Sequence, residues 1–164
     1  MSSHGSATGN AAWKPWLAAI LWTVVIATES SDAFSASHTG RYLYPLLTWL
    51  FGPLDPIRYE IWNVALRKTG HVLGYGILCV LFFRSWRVTL QDRIGGWSRK
   101  AAIMAWIMTA IVASLDEWHQ SYIPSRTGTY RDVVLDSAAS LAALLLVFLW
   151  SRNGKQPLPD FVAG

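Results

Sequence analysis

Apolar residues occur along this chain in four long runs separated by polar segments. The runs cover residues 13–28, 70–86, 101–115 and 133–150. A helix needs ~20 apolar residues to cross ~30 Å of hydrocarbon, and each run is slightly shorter than that. The helices must therefore continue past their apolar cores, which brings Glu29 and Asp116 to the membrane surface. The pattern predicts an all-α integral membrane bundle of four transmembrane helices with a long first loop.

Composition supports the membrane assignment. The chain has 164 residues, of which 52% are hydrophobic and ten are tryptophan, which is too apolar for an ordinary soluble domain of this size. We predict a disordered segment at 1–12, one membrane domain at 13–152 and a flexible tail at 153–164. The first run lacks a charged leader and a cleavage site, so we expect it to remain as a helix.

The first loop contains an apolar stretch of its own. This stretch, residues 42–51, is followed by Gly52 and Pro53 and is too short to span. We expect it to lie in the membrane interface or to re-enter as a lid over the helix ends. A short helix is predicted from Pro56 toward Arg67, joining the second span with little interruption.

The distribution of Lys and Arg predicts the orientation. Eight lie in the N-terminal segment, the second connection and the tail, against six in the first and third connections. Positive charge concentrates on the cytoplasmic side, so both termini should be cytoplasmic and the long first loop extracytoplasmic. The predicted location is the cytoplasmic (inner) membrane. The basic residues are scattered without a stacking platform, so we expect no nucleic-acid partner.

Helical spacing groups the polar residues at the outer ends of the spans. Asp116, His119 and Gln120 share one face of the third span, with Glu117 turned by about 100°. The second span begins with a stack at the same level, which consists of Lys68, His71 and Tyr75.

The fourth span begins with acidic residues. Thr129 and Asp132 have the spacing of a capping box. Asp132 and Asp136 continue along one helical face to Ser140 and Ala143, and this face of small and acidic residues suits close helix packing. Ionisable groups at membrane depth cost several kcal/mol unless they are paired or functional, so these helix ends are the candidate site.

These residues together resemble the signature of the VanZ-like membrane proteins. The matching pieces are Arg67-Lys68-x-x-His71-x-x-x-Tyr75, Asp116-Glu117-x-His119-Gln120, Arg126-x-Gly128, Asp132-x-x-x-Asp136 and an early Ser30-Ser31. The resemblance covers about residues 16–150, with Val72 where the family usually has an aromatic residue. It implies a four-helix membrane protein of the cell envelope. The namesake of the family is associated with low-level resistance to the glycopeptide antibiotic teicoplanin.

A purely structural interpretation of the charges is also open. In it, Arg126 and Arg131 neutralise Asp132 and Asp136, and Lys68 faces Asp116, because intramembrane charges must pair whatever their purpose. We expect Asp136 in particular to have a basic partner, which would be Arg131, Arg126 or Lys68.

A metal site is the weaker interpretation. His71, Asp116 and His119 are plausible ligands, but Asp-Glu-x-His lacks the paired histidines of a zincin helix. The single cysteine, Cys79, lies within a span and excludes an intramolecular disulfide. We predict no metal and no cofactor, and Cys79 as a packing or lipid-facing residue.

Two functions are compatible with the sequence. The preferred one is binding of an anionic group, such as a lipid-linked phosphate or a peptidoglycan-precursor carboxylate. The alternative is an intramembrane hydrolase or transferase with Glu117 or His119 as acid/base. The predicted ligand-binding residues are Lys68, His71, Tyr75, Asp116, Gln120, Arg126, Arg131, Asp132 and Asp136. The chain has no nucleophile elbow, phosphate-binding loop or dinucleotide motif, so serine hydrolysis and ATP-driven transport lack support.

Overall fold

The computed structural model describes residues 13–31, 36–90, 97–124 and 128–153, and within these ranges every regular element is a helix. The helices are α1 (Trp13–Glu29), α2 (Ala36–Phe51), α3 (Pro56–Thr89), α4 (Arg99–Gln120) and α5 (Tyr130–Asn153). The predicted all-α class is therefore confirmed. The predicted disordered segment 1–12, the tail beyond Asn153 and the predicted ligand residue Arg126 lie outside the described residues.

Three of the described helices, α3, α4 and α5, are long and apolar enough to cross a membrane. Helix α1 has 17 residues, or about 25 Å, which is slightly less than a typical crossing requires. Large apolar side chains are exposed on the outer faces of all four of these helices, among them Leu21, Val24, Leu73, Ile107, Ile111, Leu145 and Leu146. Such surfaces are typical of helices that contact lipid.

Helix α3 is the centre of the bundle, because α1, α4 and α5 all pack against it. Its large buried side chains form the middle of the core and are Tyr75, Leu78, Cys79, Phe82 and Phe83. Cys79 is fully buried, so it is a packing residue.

Small residues bring the other helices close to α3 and to one another. Helix α4 buries a stripe of them at helical spacing, which consists of Ala101, Ala102, Ala105, Thr109 and Ala113. On α5, Asp136 and Ser140 are completely buried, and the Cβ of Ala143 lies 3.5 Å from where a Cβ on Gly76 would be. The predicted close-packing face of α5 is therefore confirmed.

Helix α1 lies along α3 and is held to it by indole hydrogen bonds. Trp16 Nε1 donates to Thr89 Oγ1 near the C-terminal end of α3, and Trp22 Nε1 donates to the carbonyl of Gly74 in the middle of α3. Both donor–acceptor distances are 2.9 Å. These bonds place Ser30, the residue after α1, beside the C-terminal end of α4.

The predicted short helix that begins at Pro56 is the first part of α3, with no break before the span. Asp55 caps it by accepting hydrogen bonds from the backbone N–H groups of Ile57 and Arg58. Helix α2 packs chiefly on this extension, with ring contacts between Tyr44 and Tyr59 and between Phe51 and Trp62; these ring contacts hold the hairpin together.

The apolar stretch predicted as an interfacial segment or lid is therefore a helix on the side of α3. Tyr42 and Trp49 on α2 are 78% and 81% exposed, which leaves an apolar surface beyond the bundle. This surface favours contact with the membrane interface over coverage of the helix ends.

Candidate functional site

Polar side chains meet where the C-terminal end of α4 and the N-terminal end of α5 lie beside residues 68–75 of α3. At 1.5 Å per residue, Lys68 lies about 30 Å from Thr89 at the other end of α3, and Gln120 lies about as far from Arg99 on α4. One hydrocarbon thickness thus separates the cluster from the opposite helix ends, which places the cluster near a membrane surface.

Asp116 is the most highly hydrogen-bonded residue of the cluster. Its Oδ2 accepts hydrogen bonds from Ser30 Oγ at 2.9 Å, Tyr75 Oη at 2.8 Å and Gln120 Nε2 at 3.0 Å. All four residues are buried, and they come from α3, α4 and the end of α1. Because three donors converge on one oxygen, the carboxylate is held in a fixed orientation.

Glu117 connects α4 to the start of α5. Its Oε2 accepts the backbone N–H of Thr129 at 2.8 Å. Half of the predicted capping box forms, because the Thr129 hydroxyl accepts the N–H of Asp132. The other half does not, since Glu117 takes the Thr129 N–H and Asp132 Oδ2 accepts the Thr129 hydroxyl at 3.0 Å. The cap therefore forms from three residues, and it fixes Glu117 in the cluster.

His71 is the described partner of Asp136. The imidazole Nδ1 lies 3.5 Å from Asp136 Oδ2, and Oδ1 of the same buried carboxylate has no hydrogen-bond partner. Two of the three expected basic partners, Lys68 and Arg131, form no ion pair with Asp136, because Asp136 faces the interior of the bundle while they lie at its exposed edge. The third, Arg126, lies outside the described residues.

Lys68 forms an ion pair with Asp132, with 2.5 Å between Nζ and Oδ1. The purely structural interpretation expected Lys68 to face Asp116 instead. The Lys68 side chain is half exposed, so its charge stays near the surface. Asp116 lies deeper and already accepts three hydrogen bonds from neutral donors. The ion pair therefore joins α3 to α5 at the edge of the site and leaves the deeper carboxylates without a lysine.

A cavity of about 320 Å³ opens among these groups. Its lining comprises Val64, Arg67, Lys68, His71, Glu117, Gln120, Thr129, Arg131, Asp132, Leu135 and Asp136. The basic members lie at the exposed edge, whereas Glu117, Gln120 and Asp136 are buried. The cavity thus has a cationic rim and an acidic floor.

His119 lies outside this cavity. It is exposed and lines a separate, mostly apolar pocket beside α1 with Thr23 and Ile26. Asp116 contributes to that pocket as well, but the cavity receives Glu117 and Gln120 from α4. The structure therefore separates His119 from His71, although their positions in the sequence predict the same level of the membrane for both.

Of the other predicted site residues, Tyr75 is buried outside the cavity lining and donates a hydrogen bond to Asp116. Arg67, which was predicted only as part of a motif, lines the cavity. Ser30 was noted only as part of an early Ser-Ser pair, yet it is buried against Asp116. The small-residue stripe of α4 is the signal for the buried face of that helix, since one further turn along it reaches Asp116, Glu117 and Gln120.

One group of described residues has the geometry to hold a metal ion. One ligand atom each from His71, Asp116 and Glu117 lie within 4.8 Å of one another. The two carboxylates are buried and the imidazole is partly buried.

The chain matches a known protein family. The family model described as VanZ/LLP1 matches residues 15–151, which is most of the chain and includes every residue of the cavity. No curated protein and no solved structure matches the chain.

Proposed function

The chain belongs to the VanZ/LLP1 family, and from that premise we propose that it binds an anionic lipid-linked or cell-wall-precursor group in the cavity at the ends of α3, α4 and α5. The observation that carries the proposal is the pair of arginines at the rim. Arg67 and Arg131 both line the cavity, and neither forms an ion pair with any other described residue.

The rim suits a phosphate or carboxylate for electrostatic reasons. A guanidinium donates two parallel hydrogen bonds to either group, and such bonds are about twice as strong as those between neutral partners. Lys68 is neutralised by Asp132, so it positions the rim more than it attracts the ligand. An anion attached to a lipid would reach this rim from the membrane surface without leaving its bilayer.

To test the proposal, we would measure binding of a polyprenyl phosphate to the protein in nanodiscs by native mass spectrometry. The double variant Arg67→Gln/Arg131→Gln should bind at least about tenfold more weakly, because it loses two charge-assisted contacts. Arg58→Gln is the matched control, since Arg58 is an exposed arginine of α3 that pairs with Asp55 outside the cavity.

Two further ligands distinguish the source of the anion. A neutral polyprenol tests whether the lipid chain alone is sufficient, and a soluble peptide ending in D-Ala-D-Ala tests a cell-wall carboxylate. Equal binding of polyprenol and polyprenyl phosphate, or an equal loss in Arg58→Gln, would contradict an arginine site for anions.

The proposal includes a membrane arrangement with four crossings. In it, α1 is the additional crossing, because its indole bonds to Gly74 and Thr89 keep it alongside the spanning part of α3. The excess of Lys and Arg in the connection between α3 and α4 assigns that end to the cytoplasm. The cavity then opens on the extracytoplasmic side of the cytoplasmic membrane, and both termini are cytoplasmic.

Site-directed labelling checks this orientation. A membrane-impermeant thiol reagent should label a cysteine introduced in 52–55 in intact cells and leave a cysteine at Gly164 unlabelled until the membrane is permeabilised. Replacement of native Cys79 is unnecessary, because this thiol is buried in the core. Labelling of Gly164→Cys in intact cells would reverse the orientation and place the cavity in the cytoplasm.

An enzyme remains the second proposal, because two groups capable of proton transfer line the cavity. His71 is oriented by Asp136, and Glu117 lies beside it with one oxygen bound to Thr129. This pair would act as acid and base in hydrolysis or transfer at a group held by the arginines. Of the two residues named from the sequence, Glu117 retains this role, whereas exposed His119 lies outside the cavity. A link to glycopeptide resistance is part of either proposal.

A further inference from the structure

Donor groups with the geometry of a metal site lie at the acidic floor of the cavity and directly beside it, where Asp116 neighbours Glu117. We infer that His71, Asp116 and Glu117 bind one divalent transition-metal ion, such as Zn²⁺ or Mn²⁺. Ligand atoms of the three residues lie within 4.8 Å of one another, so one ion placed between them is within reach of all three. The three residues come from two helices that are packed together along their length.

Each ligand is already oriented by a second residue. Asp116 uses one oxygen to accept three hydrogen bonds, and Glu117 uses one oxygen to accept the N–H of Thr129. His71 has a carboxylate, Asp136, at Nδ1. Metal sites in proteins show this pattern, in which an outer hydrogen bond fixes each ligand and leaves another atom for the ion.

The carboxylates at and beside the floor also favour a cation. Asp116, Glu117 and Asp136 are buried carboxylates, and no described Lys or Arg forms an ion pair with any of them. The Oδ1 atom of Asp136, a residue with no exposed surface, has no hydrogen-bond partner. Uncompensated carboxylates at membrane depth are costly, and a divalent ion beside His71 would offset that cost.

The ligand set indicates the class of metal. Two carboxylates with one imidazole suit Zn²⁺ or Mn²⁺ better than Cu⁺, which prefers sulfur, or Ca²⁺, which prefers oxygen alone. Three protein ligands leave at least one position of the ion open. This position would face the cavity, where water or an anionic ligand has access.

Two titrations of the chelator-treated full chain test the site. Binding of ZnCl₂ is measured by isothermal titration calorimetry, and binding of MnCl₂ by electron paramagnetic resonance. We expect one ion per chain. Glu117→Gln and His71→Gln should each weaken binding by at least tenfold, because each removes one of three ligands. Thermal melts should show that Zn²⁺ stabilises the unmodified protein and neither variant.

His119→Gln is the matched control, because it removes a histidine two residues from Glu117 that lies outside the cavity. Sub-stoichiometric binding, or an equal loss of affinity in His119→Gln, would overturn the proposal in favour of surface binding. Both titrations are carried out without an anionic ligand. Failure of the metal site is thus distinguishable from failure of the anion site, which Arg67→Gln/Arg131→Gln tests separately.

Discussion

Asp136→Asn is expected to stabilise the metal-free protein by about 1–3 kcal/mol, because it replaces a buried carboxylate that has one unpartnered oxygen by a neutral amide. One oxygen of Asp136 has no partner, and the other has only a 3.5 Å contact with His71. The asparagine keeps the size of the side chain, so the packing of α5 against α3 is retained. The measurement is a denaturation curve in detergent with a chelator present.

This expectation is opposite to the one that follows from a lysine or arginine partner. In that case removal of the carboxylate would leave an uncompensated cation and cost ~3–5 kcal/mol. A histidine can lose its proton instead, so His71 carries no such penalty. Glu60→Gln, at an exposed position of α3, is the control and should change stability little. A strong loss of stability in Asp136→Asn alone would show that Asp136 has a permanent cation as its partner.

Gly128→Ala is expected to destabilise the protein by about 3 kcal/mol or more, because no space exists for a methyl group there. A Cβ on Gly128 would lie 2.2 Å from the carbonyl oxygen of Glu117 and 2.8 Å from the backbone nitrogen of Ser121. Both are backbone atoms at the end of α4, so no side chain can rotate away. Relief would require the start of α5 to move, which would break the bond from Thr129 to Glu117.

Gly70→Ala is the control for this variant. Gly70 is an exposed residue of α3, and nothing lies within 4 Å of a Cβ placed on it. Alanine is favoured over glycine in a helix by roughly 0.5–1 kcal/mol, so Gly70→Ala should stabilise slightly. The measurement is the melting temperature of each variant, compared with that of the unmodified protein in the same detergent. Similar melting temperatures for the two would show that the connection before α5 is loosely packed.

The two proposals for the cavity reinforce each other. Without a cation, the buried carboxylates repel an anion and restrict it to the rim near Arg67 and Arg131. With an ion bound to His71, Asp116 and Glu117, the same cavity has positive charge at both its rim and its floor. A phosphate group could then contact both, and the two ligands would raise each other's affinity.

Much of the fold was predictable from the sequence, because helix formation in a membrane depends on local composition. Runs of apolar residues must satisfy their backbone hydrogen bonds internally, so α1, α3, α4 and α5 follow from their hydrophobicity alone. The close-packing face of α5 was also predictable, since Asp136, Ser140 and Ala143 recur at helical spacing. The family followed from the ordered polar motifs, and the match over residues 15–151 confirms it.

The sequence by itself therefore determined the four long helices of the bundle, the family and the helical positions at which the polar residues gather. Tertiary structure alone decided which of them face one another, because spacing along one helix leaves its rotation relative to its neighbours undefined. On α4, the packing of the alanine stripe turns Glu117 into the cavity and His119 out of it. Between helices, the same packing pairs Lys68 with Asp132 and His71 with Asp136. Such long-range ion pairs depend on contacts between helices that no local sequence pattern encodes.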